Sequence, residues 1–125
     1  MGTRALVGIL SESGTVDFIY NHWDGYPEHL GVMLKNYYNT EENIRELLSL
    51  GDASGIDSTL AKSEFYARDR GEDLADVSAK TKSSLVDFSD YADNVGAEWI
   101  YCWFATDDGH SAWHVAKPHR PFHKL

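Results

Sequence analysis

The sequence predicts one α+β domain, in which helices pack on a mainly antiparallel sheet of about five strands. Two hairpin signals and three amphipathic helical patterns lead to this prediction. Their order along the chain is strand, strand, helix, helix, strand, helix, strand, strand (ββααβαββ). At 125 residues, 42% of them hydrophobic, the chain is long enough to bury a core without disulfides or a structural metal.

The first hairpin signal lies near the start of the chain. Residues 4–10 (RALVGIL) and 15–23 (TVDFIYNHW) are β-branched and aromatic runs joined by a Ser-Glu-Ser-Gly turn. Side chains alternate along a strand, so the second run has two faces. One face carries Val16, Phe18, Tyr20 and His22, and the other carries Asp17, Ile19, Asn21 and Trp23.

Three helices are predicted between the hairpins. The first spans about 27–38, because Pro27 is favoured at the start of a helix and apolar residues recur at helical spacing after it. The second follows Thr40, a candidate N-cap, and ends near Gly51. The third spans about 80–94. A short strand is expected at 64–67 (EFYA).

The second hairpin signal is the clearest in the chain. Residues 98–106 (EWIYCWFAT) and 111–116 (SAWHVA) flank Asp-Asp-Gly, whose glycine suits the positive φ of a tight turn. Both faces of the first strand are apolar, which predicts a central strand covered on both sides. Cys102 lies in that strand, so we expect an inert core thiol rather than a nucleophile.

Charge is distributed unevenly. The chain has a net charge of −9, and all 20 acidic residues precede His114. Such an acidic body repels phosphate backbones and argues against general nucleic-acid binding. The tail at 117–125 (KPHRPFHKL) is basic, and its two prolines predict a solvated terminus.

The absence of an apolar leader or long apolar run leads us to expect a cytoplasmic protein without a membrane anchor. The single cysteine fits the same expectation, because it cannot form an internal disulfide.

The residues 22–31 (HWDGYPEHLG) contain four side chains that could bind a metal: His22, Asp24, Glu28 and His29. A strand end, a tight turn and a helix start point such side chains in different directions. We therefore expect a structural corner and no metal or cofactor. A small hydrolase using His22, Asp24 and Glu28 is the third functional alternative.

An anion site is a second interpretation of this stretch. The N-terminus of the helix at Pro27 and the arginines of ARDRGED could bind a phosphate or carboxylate, and nearby rings could stack on a base. The predicted ligand-binding residues are Tyr20, His22, Trp23, Asp24, Tyr26, Arg68 and Arg70. Alternatively, the two arginines pair with Asp24, Glu28, Asp69 or Asp73 and only pin a loop.

Aromatic residues are abundant, with four Trp and seven Tyr. Tyr and Trp dominate the energetics of protein interfaces, so some are expected to be exposed for a partner protein. Association of two copies through the terminal hairpin, giving a homodimer, fits the same observation.

The segments TRALVGIL (3–10), HWDGYPEHLG (22–31), LLSLGDASGI (47–56) and RDRGED (68–73) together resemble a group of small, uncharacterised proteins of tailed bacteriophages. The resemblance supplies no catalytic residue. It implies a protein made in the cytoplasm of an infected bacterium, where small acidic phage proteins often bind and inhibit a host complex. Modulation of a host protein is therefore the leading hypothesis, and sequestration of a nucleotide or another small anion is the second.

Overall fold

Strand β1 (Ala5–Leu10) lies at the centre of a mixed eight-stranded sheet in the computed structural model, which describes residues 2–125. It pairs antiparallel with β2 (Val16–Asn21) and parallel with β6 (Trp99–Ala105). The other strands are β3 (Ala53–Gly55), β4 (Glu64–Phe65), β5 (Lys80–Lys82), β7 (Ser111–Ala116) and β8 (His123–Lys124). The order is β4-β3-β2-β1-β6-β7-β8, and β5 also pairs with β2.

The α+β class is confirmed, whereas the sheet is larger and less antiparallel than predicted. Both predicted hairpins, β1–β2 and β6–β7, are present. The added strands have two or three residues each, too few to show an alternating pattern. The parallel β1–β6 pair joins distant segments, and local sequence signals do not report such pairing.

The first predicted helix is divided into two parts. Pro27–Gly31 forms a π-helical turn, and α1 (Val32–Tyr37) continues from it. A π turn holds more residues than an α turn and rotates the helix faces. Leu30, Leu34 and Tyr38 are therefore buried, while Tyr37 is 48% exposed.

The remaining helices are α2 (Glu41–Ser49), α3 (Tyr66–Arg70), α4 (Leu74–Val77) and α5 (Leu85–Asn94). Thr40 caps α2 as predicted, because its side chain accepts a 3.1 Å hydrogen bond from the Asn43 N–H. The predicted strand at 64–67 ends at Phe65, where α3 begins. Helix α5 begins later than predicted, because residues 80–82 pair with β2.

Two hydrophobic layers enclose the sheet. On one face, Val7, Ile19 and Tyr101 pack against α1 and α2, and on the other, Leu6 and Ile100 pack against α5. The alternation of β6 between these layers confirms it as a central strand. Cys102 is fully buried, and burial raises the pKa of its thiol to about 12.

The basic tail is exposed along most of its length, as predicted, but its end is also docked on the edge of the sheet. Residues His123–Lys124 pair with β7, and the Leu125 N–H donates to the Trp113 carbonyl at 2.9 Å. The Phe122 ring contacts the edge of Phe104. The tail extends the edge of the sheet after its prolines, where proline removes no ladder hydrogen bond. No helix within residues 2–125 is long and apolar enough to cross a bilayer.

Candidate functional site

The stretch from His22 to Tyr26 forms a sharp corner between β2 and the π-helical turn. Backbone hydrogen bonds fix it to its neighbours: His22 N–H to Ala53 O at 3.1 Å, and Trp23 N–H to Ser54 O at 2.9 Å. Asp24 then takes a φ of +56°, a left-handed conformation that aspartate tolerates better than most residues. The corner therefore continues the pairing with β3 before the chain turns.

Buried side chains hold the corner from inside. The Tyr101 hydroxyl donates a 2.7 Å hydrogen bond to the Gly25 carbonyl. The fully buried Asn21 side chain donates to the Trp23 carbonyl at 2.8 Å. The Gly25 N–H in turn donates to the Thr3 carbonyl at 2.8 Å. These bonds make the corner a rigid support for the side chains that it exposes.

Three aromatic side chains form a row on the outer face of the corner. Tyr20 Oη lies 2.7 Å from His22 Nδ1, and the His22 ring meets the Trp23 ring edge-on at 4.7 Å. Burial raises the pKa of the Tyr20 phenol. Trp23, at the end of this row, is 43% exposed. The Tyr26 ring, which follows on the same corner, is 37% exposed, so the rings of Trp23 and Tyr26 both reach the surface.

The two arginines proposed as anion ligands are engaged by neighbouring acids. Arg68 pairs with Asp69 at 2.9 Å and also donates to the Ser63 carbonyl at 2.7 Å. Arg70 pairs with Glu64 at 2.6 Å and is within 3.2 Å of the Ser54 hydroxyl. Both arginines thus attach α3 to the segments before it, which agrees with the alternative role of pinning a loop.

A groove of about 310 Å³ lies beside the corner, and we name it the corner groove. It is lined by Trp23, Asp24, His29, Ser54, Gly55, Ile56, Asp57, Lys62 and Glu64. Of the seven predicted site residues, Trp23 and Asp24 line it. Tyr20 lines a different cavity.

The corner groove is acidic. Its lining has three carboxylates and one ammonium group, a formal charge of −2 with His29 counted as neutral. The hydrogen bond from the Ser58 N–H lowers the pKa of Asp57, and the bond from Arg70 lowers the pKa of Glu64. Both carboxyl groups are therefore ionised at neutral pH. Arg70 neutralises Glu64, so the net negative charge of the groove comes from Asp24 and Asp57, and it favours cations over the anions predicted here.

Sequence reasoning missed the loop between β3 and β4, which supplies one wall of the groove. Asp57 is held there by two hydrogen bonds: its carbonyl accepts from the Tyr38 hydroxyl at 2.7 Å, and its N–H donates to the Ser63 hydroxyl at 2.8 Å. The Asp57-Ser58 pair was a local signal for a turn. Nothing local indicated that the turn faces Trp23.

The residues of the hydrolase alternative do not converge on one pocket. His22 and Glu28 do not line the corner groove, and the Nδ1 atom of His22 is engaged by Tyr20. Within residues 2–125, no group of three or more His, Cys, Asp or Glu side chains is arranged to hold a metal ion.

Comparison with known proteins adds no assignment. A scan against protein-family models and searches of curated proteins and of solved structures found no match to this chain.

Proposed function

We propose that this protein binds a partner protein by holding a basic segment of the partner in the corner groove. The observation that supports this proposal is the position of the exposed Trp23 indole beside the carboxylates of Asp24 and Asp57 in one concave surface. An arginine or lysine side chain fits both features, because the indole face attracts cations and the carboxylates pair with them.

Rigidity of the groove favours this role. Trp23 is held by the His22 ring and by backbone hydrogen bonds to β3, so its indole loses little conformational freedom on binding. Tyr26 adds a second exposed ring on the same corner. Exposed aromatic anchors on a fixed backbone are typical of binding hot spots.

The charge of the whole molecule supports the same role at longer range. A net charge of −9 accelerates association with a basic partner, and this effect weakens as salt concentration rises. The resemblance to bacteriophage proteins suggests a host protein that binds nucleic acid. Occupation of its basic surface by the corner groove would inhibit it by competition.

The other functions have less support at the predicted site. An anion site built from Arg68 and Arg70 would have to compete with their ion pairs to Asp69 and Glu64. For a homodimer through the terminal hairpin, β8 pairs with His114 and Val115 and so covers part of the outer edge of β7. Light scattering of the purified protein measures the oligomeric state directly.

The test uses affinity capture from a host bacterial lysate, followed by calorimetry with the purified partner. We expect one stoichiometric partner with a basic contact surface, and affinity that falls steeply with salt. Trp23→Ala should weaken binding about tenfold or more, the loss expected for an aromatic anchor. Tyr37→Ala removes a comparably exposed ring outside the groove and is the matched control.

A second pair of variants tests the charge of the groove. Asp24→Asn with Asp57→Asn removes two charges while keeping a residue that tolerates the left-handed backbone and an acceptor for the Ser58 N–H. Glu12→Gln with Asp107→Asn removes two exposed charges elsewhere. The proposal is wrong if both double variants bind equally well, or if Trp23→Ala binds as tightly as the unmodified protein.

A further inference from the structure

Strand β2 changes its neighbour part-way along its outer edge. Val16, Asp17 and Phe18 pair antiparallel with β5, whereas Asn21 pairs parallel with β3. The two neighbouring strands, β5 and β3, diverge at Tyr20, so the N–H of Tyr20 donates to a carbonyl of neither strand. The carboxylate of Asp52 accepts this N–H instead, at 2.9 Å.

The divergence opens a cavity of about 340 Å³, which we name the split pocket. Its apolar walls are Phe18, Tyr91 and Val95. Its polar groups are Arg4, Asp52 and Lys80, and the Tyr20 ring also lines it. The volume is in the range of cavities that hold small organic ligands, roughly 300–1,000 Å³.

The polar groups give the split pocket a positive charge within an acidic molecule. Arg4 and Lys80 against Asp52 give a formal charge of +1, while the whole chain has −9. This local excess of positive charge favours an anionic ligand here over one in the corner groove.

The two cations of the split pocket are largely unused. Arg4 makes one long hydrogen bond, 3.3 Å to the Val95 carbonyl, and no carboxylate in residues 2–125 lies within 4.0 Å of its nitrogens. Arg68 and Arg70, by contrast, are both paired. Lys80 Nζ is 3.9 Å from Asp52, beyond hydrogen-bond distance. Most donors of Arg4 and Lys80 are therefore available to a ligand.

We propose that the split pocket binds a small molecule in which an oxyanion, a phosphate or a carboxylate, is joined to a planar ring. The oxyanion contacts Arg4 and Lys80, and the ring packs against Tyr91. Asp52 retains oxygen lone pairs that can accept a hydrogen bond from a ring N–H. This site shares no lining residue with the corner groove, so a test of ligand binding here is independent of the test of partner binding.

The probes are the four common nucleoside monophosphates, for a phosphate on a ring, and benzoate, for a carboxylate on a ring. Inorganic phosphate and adenosine represent the two halves of the first class. Calorimetry measures affinity, and amide chemical shifts locate the site in the unmodified protein. We expect saturable binding of at least one ring-bearing anion, with the largest shifts at Tyr20, Asp52 and Lys80.

Charge-matched variants test the contacts. Arg4→Gln and Lys80→Gln should each weaken binding about tenfold or more, equivalent to about 1.4 kcal/mol. Arg120→Gln removes the same charge from the tail, outside the split pocket, and should change affinity less than about twofold. If a pocket variant fails to fold, the shift map of the unmodified protein still decides the outcome.

Several results would overturn the inference. These are the absence of binding by any ring-bearing anion at millimolar concentration, shifts centred on Trp23 and His29, or equal losses in Arg4→Gln and Arg120→Gln. If inorganic phosphate binds as tightly as a nucleoside monophosphate, the ring of the ligand contributes nothing to affinity, and the proposed ring contact is wrong.

Discussion

The hydroxyl of Tyr101 donates a 2.7 Å hydrogen bond to the carbonyl of Gly25, which joins the middle of the central strand β6 to the corner that carries Trp23. Tyr101 is fully buried, so this carbonyl has no access to water as a substitute partner. The bond makes the shape of the corner groove depend on the core of the sheet.

Tyr101→Phe should therefore destabilise the protein. The variant leaves the Gly25 carbonyl without this donor, and loss of a buried hydrogen bond costs about 1–2 kcal/mol. Urea denaturation measures the free energy of unfolding. Tyr37→Phe is the control, because Tyr37 is 48% exposed, and it should have little effect. Equal stability of the Tyr101 variant and the unmodified protein would contradict a structural role for the bond.

Gly25 should not tolerate a side chain. An added Cβ would lie 2.5 Å from the Thr3 carbonyl oxygen and 2.8 Å from Ala5 Cβ, closer than atoms pack without displacement. Gly25→Ala should lower the free energy of unfolding by about 1–3 kcal/mol, as overpacking does. Gly55→Ala, where no atom lies within 4 Å of the added Cβ, should be neutral or slightly stabilising. Similar melting temperatures for the two variants would show that the corner can move.

Asp52 should reduce stability at neutral pH. Burial raises its pKa in the folded state, so its contribution to stability is present below the unfolded pKa and is lost as pH rises through the folded pKa. Asp52→Asn keeps an acceptor for the Tyr20 N–H and removes the buried charge. We expect this variant to melt higher than the unmodified protein at pH 7 and to lose the advantage near pH 3.

A further variant separates charge from hydrogen bonding at this position. Asp52→Ala should melt lower at both pH values, because it leaves the Tyr20 N–H without its acceptor.

The contribution of Asp17 to stability should depend on pH in the opposite direction. Hydrogen bonds from Thr81 and Arg45 lower its pKa, so Asp17→Asn should lose stability at pH 7 and lose less as pH falls.

His114 should make the fold sensitive to mild acid. Its ring is stacked on Phe104 at 3.7 Å and is 7% exposed, and burial lowers its pKa. Its contribution to stability is therefore present above the unfolded pKa, near 6.5, and is lost as pH falls toward the folded pKa. His114→Phe should reduce the fall in melting temperature between pH 7.5 and 5.5, whereas exposed His110→Gln should not. Parallel falls in the two variants would contradict this account.

Sequence reasoning succeeded where the deciding interaction is local. The glycine of the terminal hairpin, Gly109, takes a φ of +84°, and Thr40 caps α2 from the adjacent turn. Those residue types favour those conformations in any surroundings. The alternating faces of β6 were predicted for the same reason, because the period of a strand does not depend on its neighbours.

Prediction failed where contacts between segments distant in the sequence determine the local structure. Asp52 lies in a stretch that shows only turn signals, yet its carboxylate completes the pairing of β2. Lys80, placed at the start of the helix predicted over about 80–94, lies instead on a strand that pairs with Phe18. Of the predicted site residues, Trp23 and Asp24 line the corner groove, whose carboxylates outnumber its cations, whereas the sequence predicted an anion site there. Nothing in ARDRGED reveals that Glu64 engages Arg70, or that Asp57 faces Trp23.

The parallel pairing of β1 with β6 has a consequence for how the chain folds. Ala5 lies opposite Trp99, so the two central strands close a loop that contains most of the protein. Contacts of such long sequence separation slow folding, because the entropy of loop closure is lost before packing compensates for it. During synthesis, the edge of β1 stays unpaired until β6 has left the ribosome. A fragment ending before Trp99 should therefore remain aggregation-prone, and refolding should be slower than for helical proteins of the same length.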